Sequence, residues 1–157
     1  MSRDQLYEEV IDQIRRSQTA NQTFDHAVAD LLGINQTDFR CVDIIQRRER
    51  ITAGDLARES ELTTGAVTAM IDRLERAGYA RRVADPSDRR RVLVEITPEL
   101  LQRTEKYYAP LAEAAYEAFN NYTDDQLEFV REFHRAGSEL NERMAAKLRE
   151  ETDRQGT

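Results

Sequence analysis

Between Thr52 and Ile96 the hydrophobic period changes from that of helices to that of strands, and this one transition leaves few folds open. Thr52 with Asp55 three residues on approximates a capping box, and Ile51 before the cap is placed to staple onto Leu56. The spacing predicts a short helix over 53–60. The same grammar recurs at once: Thr63 is a cap, Leu62 and Val67 form a staple, and Val67, Met70, Ile71 and Leu74 repeat at i, i+3, i+4 and i+7. Gly78 ends this second helix. From Tyr79 to Ala84 the pattern turns extended, Asp85-Pro86-Ser87-Asp88 makes a turn, and RVLVEI (91–96) returns with β-branched residues. Two short helices joined around Glu61 and Leu62 make a helix-turn-helix, and the hairpin behind them makes it a winged helix.

The flanking segments read as helices. Over 4–32, Leu6, Val10 and Ile14, then Phe24, Val28, Leu31 and Leu32, recur at helical spacing around a polar middle, SQTANQT, that leaves room for a bend. Gly33 closes this helix and Asn35 caps the next, which runs to about Arg48 and buries Phe39, Val42 and Ile45. After the wing, Thr97 caps, Pro98 takes the first helical position, and Ile96 can staple onto Leu101. That helix carries Leu101, Tyr108, Leu111, Ala115, Ala118 and Tyr122 to about Asn121, and a last one runs from near Thr123 to about Glu150, leaving ETDRQGT as a frayed tail. The fold expected is mainly α with a small β-hairpin wing: a single domain over 1–157, with a winged helix-turn-helix core at 34–97. The helical regions 1–33 and 98–150 then pair two copies into a homodimer.

Charge narrows the partner. The formal net charge of −7 argues at first against nucleic acid, yet residues 73–97 hold seven arginines against four acids, while 98–157 carry eight basic and thirteen acidic groups. Arginine forks suit phosphate, guanine and a narrow minor groove. The single cysteine, Cys41, excludes an internal disulfide and reads as a small core residue, and with His26 and His134 far apart no metal site is expected. No apolar run reaches the ~20 residues of a membrane span, and MSRDQLYEEV lacks a signal peptide's apolar block, so a cytoplasmic protein with no membrane partner is expected. No phosphate loop, nucleophile elbow or paired acid and base supports an enzyme, and no cofactor is implied. A winged helix used only as a protein-interaction module is the competing expectation.

With Val67, Met70, Ile71 and Leu74 turned inward, the opposite face of the 64–76 helix presents Gly65, Ala69, Asp72 and Arg76, flanked by Thr68 and Arg73. Early residues of such a helix reach base edges, which makes Thr64, Gly65, Ala66, Thr68 and Ala69 the candidates for the major groove. Their side chains are small, so readout should rest on threonine hydroxyls, on methyl contacts with thymine, and on DNA shape. Arg73 is placed to touch phosphate or to support the wing. Arg47, Arg48 and Arg50, with Glu49 among them, make either a phosphate-facing cluster or a solvated loop.

The stretch 31–99 resembles the winged-helix core of the multiple antibiotic resistance regulator (MarR) family, through ITAGDLARE, TTGAVTAMIDRLERAGYARR and above all the wing DPSDRRRVLVEIT, an acid, one residue, then arginine ahead of a strand. The family often carries an arginine near Thr64 or Ala69, and this chain has none there. The resemblance implies a homodimeric DNA-binding regulator, usually a repressor released by a small ligand or by oxidation, on a pseudo-palindromic double-stranded operator. It further implies that Arg90 enters the minor groove while Asp88 orients a neighbouring arginine and Arg89 or Arg91 meets phosphate. It also implies that His26, Tyr107 and Tyr108 border a cleft for an aromatic or phenolic effector.

Overall fold

In the computed structural model, which describes residues 1–155, the elements follow in the order α1 (Arg3–Leu32), α2 (Gln36–Arg48), β1 (Ile51–Thr52), α3 (Ala53–Ser60), α4 (Thr64–Arg76), β2 (Ala80–Ala84), β3 (Val92–Ile96), α5 (Pro98–Phe119) and α6 (Asp124–Gln155). The local rules of helix ends account for most boundaries. Ser2 and Gln5 exchange side-chain and backbone bonds in a full capping box at the start of α1. Asn35 accepts from the Asp38 amide and Thr63 from the Ala66 amide, so α2 and α4 start where a side-chain oxygen satisfies a free N–H. At the Thr52 cap of α3 the hydroxyl accepts from the Asp55 amide at 3.1 Å and donates to the Asp55 carboxylate at 2.6 Å, so Asp55 returns to the cap's side chain. Hydrogen bonding from Thr52 holds the Asp55 carboxyl below the ordinary carboxylate range.

The sheet has three antiparallel strands in the order β1-β3-β2. β2 and β3 form the wing, in register from Ala80 opposite Ile96 to Ala84 opposite Val92, and β1 adds Ile51 and Thr52 opposite Val94 and Leu93. Only the hairpin was expected. A two-residue strand shows no alternation to read, and β1 exists because β3 offers it an edge.

The chain divides into two units, Met1–Tyr108 and Ala109 onward. The division falls within α5, which continues as a helix through Pro110. The first unit holds the core: Val28 and Leu32 of α1, Cys41, Val42 and Ile45 of α2, Ile51, Leu56, the α4 stripe Val67, Met70, Ile71 and Leu74, then Tyr79, Val94 and Leu100. Leu100 is fully buried, whereas Leu101, the expected staple, is 40% exposed: the turn after Thr97 aims the preceding residue inward. In the second unit α6 continues to Gln155, so Glu151–Gln155 are helical and not frayed; Gly156 and Thr157 lie outside the described residues. Among the described side chains of α6 none is buried. Among the described residues no helix is long and apolar enough to cross a membrane.

Gly33 ends α1 with φ 68° and Gly78 carries the chain from α4 into the wing with φ 75°, left-handed conformations that an L side chain adopts at a cost. A Cβ at Gly78 would meet the Glu99 carboxylate at 3.5 Å, an ordinary contact, so only the backbone objects. Gly78→Ala is therefore expected to destabilise the protein by about 1–2 kcal/mol in urea unfolding, through the backbone term alone.

Candidate nucleic-acid interface

α4 is held by its apolar stripe, and burying that stripe determines which residues are left outward. Thr64, Gly65, Ala66, Thr68 and Ala69 are all exposed on the first turns. Thr68 donates its hydroxyl proton to the Thr64 carbonyl at 2.9 Å, which leaves it an acceptor and a methyl group to offer outward. No side chain longer than threonine stands in these turns on the outward face, so a groove wall can approach the backbone closely.

The arginines that looked alike in the sequence separate into two groups. Arg73 forks onto Asp38 of α2, Nε to Oδ2 at 2.9 Å and Nη2 to Oδ1 at 2.7 Å, and Asp38 is only 3% exposed. Arg81 and Arg50 converge on Glu95 at 2.6 and 2.7 Å, Arg81 being its cross-strand partner in the wing. Arg82 reaches back to Asp72 and Glu75 of α4, Arg76 bonds the Asp72 carbonyl, and Arg91 lies 3.7 Å from Asp85. Arg89 and Arg90 differ: among the described residues their guanidinium groups have no acceptor.

The turn that presents those two is closed by its own aspartates. Asp85 accepts from the Ser87 amide and hydroxyl at 2.8 and 2.6 Å, bonds that hold its carboxyl below the ordinary range. The Asp85 amide donates to the Arg91 carbonyl, and the Arg91 amide to the Asp88 carbonyl. The Asp88 carboxylate accepts from the Arg90 backbone amide at 3.0 Å. Asp88 thus orients Arg90 through its main chain, and it is Asp85 that faces an arginine head, on Arg91. An Asx-type bond two residues on explains the exchange, because it is shorter-range than any side-chain pair.

Within the first unit, α1, α2 and the start of α5 border a cleft of about 1330 Å³ lined by Gln22, His26, Arg40, Gln46 and Tyr108, among others. Tyr108 donates to Asp25 at 2.5 Å and meets Phe24 edge-on at 5.2 Å; burial, then the Asp25 bond, pushes its hydroxyl well above the ordinary tyrosine value. His26 is exposed at the cleft. Tyr107 is not part of the lining, and its ring sits under the Lys106 ammonium at 5.3 Å. Cys41 is fully buried, and burial pushes its thiol up, the setting of an inert core thiol.

Comparison with known proteins decides the family. The MarR family sequence model matches residues 34–92. The HTH-type transcriptional regulator YcgE of Bacillus subtilis is 33% identical over 149 residues, 95% of this chain and 97% of its own. The multiple antibiotic resistance protein MarR of Salmonella typhimurium is 30% identical over 130 residues, 80% of this chain and 90% of its own. The chain belongs to the MarR family. Its fold is shared with a solved structure as well: the crystal structure of YusO from Bacillus subtilis superposes with a TM-score of 0.59 over 88% of this chain and 99% of the other, at 18% identity. This MarR-family protein is a DNA-binding transcription regulator.

Two ion-pair positions in this MarR-family protein went unread in the sequence. Asp38 and Glu95 are buried carboxylates, each held by arginine: a pair 35 residues apart and another 45 apart leave no local signature. Arg73, expected to touch phosphate or support the wing, spends its fork tying α4 to α2. Removing that fork strands a buried carboxylate, so Arg73→Ala is expected to cost about 1–3 kcal/mol in urea unfolding, with Asp38→Asn in the same chain recovering part of it. The Glu95 carboxyl is held below its ordinary value, first by the Arg81 bond and then by Arg50. Its stabilisation is complete above the ordinary glutamate value of about 4.3 and is lost as pH falls through the lower native value. Acid unfolding of Glu95→Gln is accordingly expected to show a shallower loss of stability below pH ~4 than the parent.

Proposed function

We propose that this regulator works as a homodimer that holds a pseudo-palindromic operator with two α4 helices in major grooves and two wings in the flanking minor grooves, and that it acts as a repressor. The observation that carries the reading is the isolation of Arg89 and Arg90. Every other arginine between 73 and 97 has an internal acceptor, and these two, at the tip of a turn stiffened by Pro86 and the aspartates, have none among the described residues. A cation held outward without an acceptor is completed by phosphate or by the negative potential of a narrow minor groove. Thr64, Gly65, Ala66, Thr68 and Ala69 supply the major-groove contact, and their small side chains support readout by shape and methyl contact.

The second copy is supported by the terminal helices. Leu6, Val10 and Ile11 of α1, and Phe129, Val130, Phe133, Leu140, Met144 and Leu148 of α6, are exposed at helical spacing. A helix of 32 residues with none of its described side chains buried has little beyond its own propensity to hold it, and an apolar stripe of this length is stable against a matching one. Release by a small aromatic or phenolic ligand is supported by the cleft, whose lining includes His26 and Tyr108 with polar groups that can orient such a molecule.

Three measurements test these statements. Selection from a random duplex pool should return a palindromic site with half-sites about one helical turn apart; recovery of random sequence alone would leave an interaction module. On the selected site Arg90→Ala should lower affinity and flatten the dependence of log K on log salt by about 0.9, with unfolding unchanged. Sedimentation should give twice the 18.2 kDa chain mass, and Phe133→Glu should shift it toward one chain.

A further inference from the structure

Resting on the reading that α4 and the wing meet DNA, we propose that Asp72 and Glu75 limit sequence-independent binding: they act as internal counterions that withhold Arg82 from the phosphate backbone. Asp72 stands seven residues after Gly65 and three after Ala69, so at about 100° per residue it shares the outward face that meets the duplex, opposite the buried Val67, Met70, Ile71 and Leu74. A carboxylate there is repelled by phosphate and gives nothing to binding by itself. What it does is hold Arg82 of the wing. Arg82 Nη2 bonds Asp72 Oδ1 at 2.7 Å, Nη1 bonds Glu75 Oε2, and the Arg82 backbone amide, on the edge strand β2, donates to Glu75 Oε1 at 2.8 Å.

Two carboxylates thus surround one guanidinium, and the cluster carries a net charge of −1. Carboxylate and phosphate make the same forked contact with arginine. For Arg82 to leave for a phosphate, both acids must be left bare beside the polyanion, so the exchange is opposed twice. Arg89 and Arg90 face no such competitor. Binding to arbitrary duplex comes almost wholly from phosphate contacts, whereas an operator adds groove contacts from the start of α4 and from the wing. Withholding one potential phosphate contact therefore lowers the sequence-independent part of the affinity, which is nearly all that arbitrary duplex has. The cluster is accessible enough to rearrange: the side chains of Arg82 and Asp72 are 34% and 52% exposed.

The test uses the full chain and a random-sequence 30-base-pair duplex, with anisotropy titrations across a series of salt concentrations. Asp72→Asn with Glu75→Gln keeps shape and the acceptor for the Arg82 amide while freeing the guanidinium. The expected result is a salt slope steeper by about 0.9 and an affinity for random duplex raised by up to about eightfold at 0.1 M salt, the value of one further phosphate contact. The same pair of substitutions placed on Arg82→Gln should then have little effect. Asp72→Asn alone, at an exposed position, should give a smaller gain of the same sign should the double variant prove unstable. An unchanged slope, or a gain of equal size in the Arg82→Gln background, would overturn the proposal, the second by showing that only repulsion was relieved.

Discussion

The orientation of α4, and with it the winged-helix surface, depends on the burial of one stripe. Val67, Met70, Ile71 and Leu74 are almost completely removed from solvent, each contributing about 1.5–3 kcal/mol of transfer free energy, and together they leave α4 a single rotation about its axis. Once that rotation is set, Thr64, Gly65, Ala66, Thr68 and Ala69 face outward, Arg73 comes within reach of Asp38, and Asp72 and Glu75 come within reach of Arg82. The polar contacts refine an orientation that apolar packing has already chosen. Their role is positional: a buried charge pair adds little net stability, but its geometry is exacting and its loss is costly.

The acidity of the chain takes on a specific meaning in this arrangement. A formal charge of −7 coexists with DNA binding because the acids are placed in two ways. Most lie on the terminal helices, away from the 73–97 segment in sequence, and some in α6 pair with arginines three or four residues along the same helix, as Glu128 does with Arg131 and Glu139 with Arg135. Others lie in the winged-helix unit, where Asp38, Asp72, Glu75, Asp85 and Glu95 each face an arginine. What remains without an internal acceptor, among the described residues of the wing, is the pair Arg89 and Arg90 at its tip. A surface built in this way has little long-range attraction for a polyanion to draw on.

Much of the local structure was legible. Caps and staples act over three to five residues, so Asn35, Thr63, Thr97 and Gly33 mark their boundaries in the sequence as plainly as in the fold. The hairpin was legible for a similar reason, since the alternation in RVLVEI and the turn residues before it are contiguous. Leu100 and Leu101 show where this stops. They are adjacent leucines after one cap, and only the approach of the helix to the core decides which is buried. β1 is a second case, because two residues hold no period and their strand is defined by β3.

For the site, residue types and spacing were enough to pick out the outward face of α4 and the arginine-bearing wing, because helical and strand periods place side chains without reference to the rest of the fold. They could not distinguish one arginine from another. Arg73, Arg81 and Arg82 differ from Arg89 and Arg90 only in what the tertiary structure brings against them: Asp38 from 35 residues away, Glu95 across the sheet, Asp72 and Glu75 from the preceding helix. Ion pairing acts through space at a few ångströms, and sequence separation carries no trace of it unless the partners share a helix turn or a strand ladder. The sequence alone thus determined that this chain builds a winged helix with arginines in its wing. Which of those arginines are left free was decided by the fold, because only folding sets the distance between a guanidinium and a carboxylate.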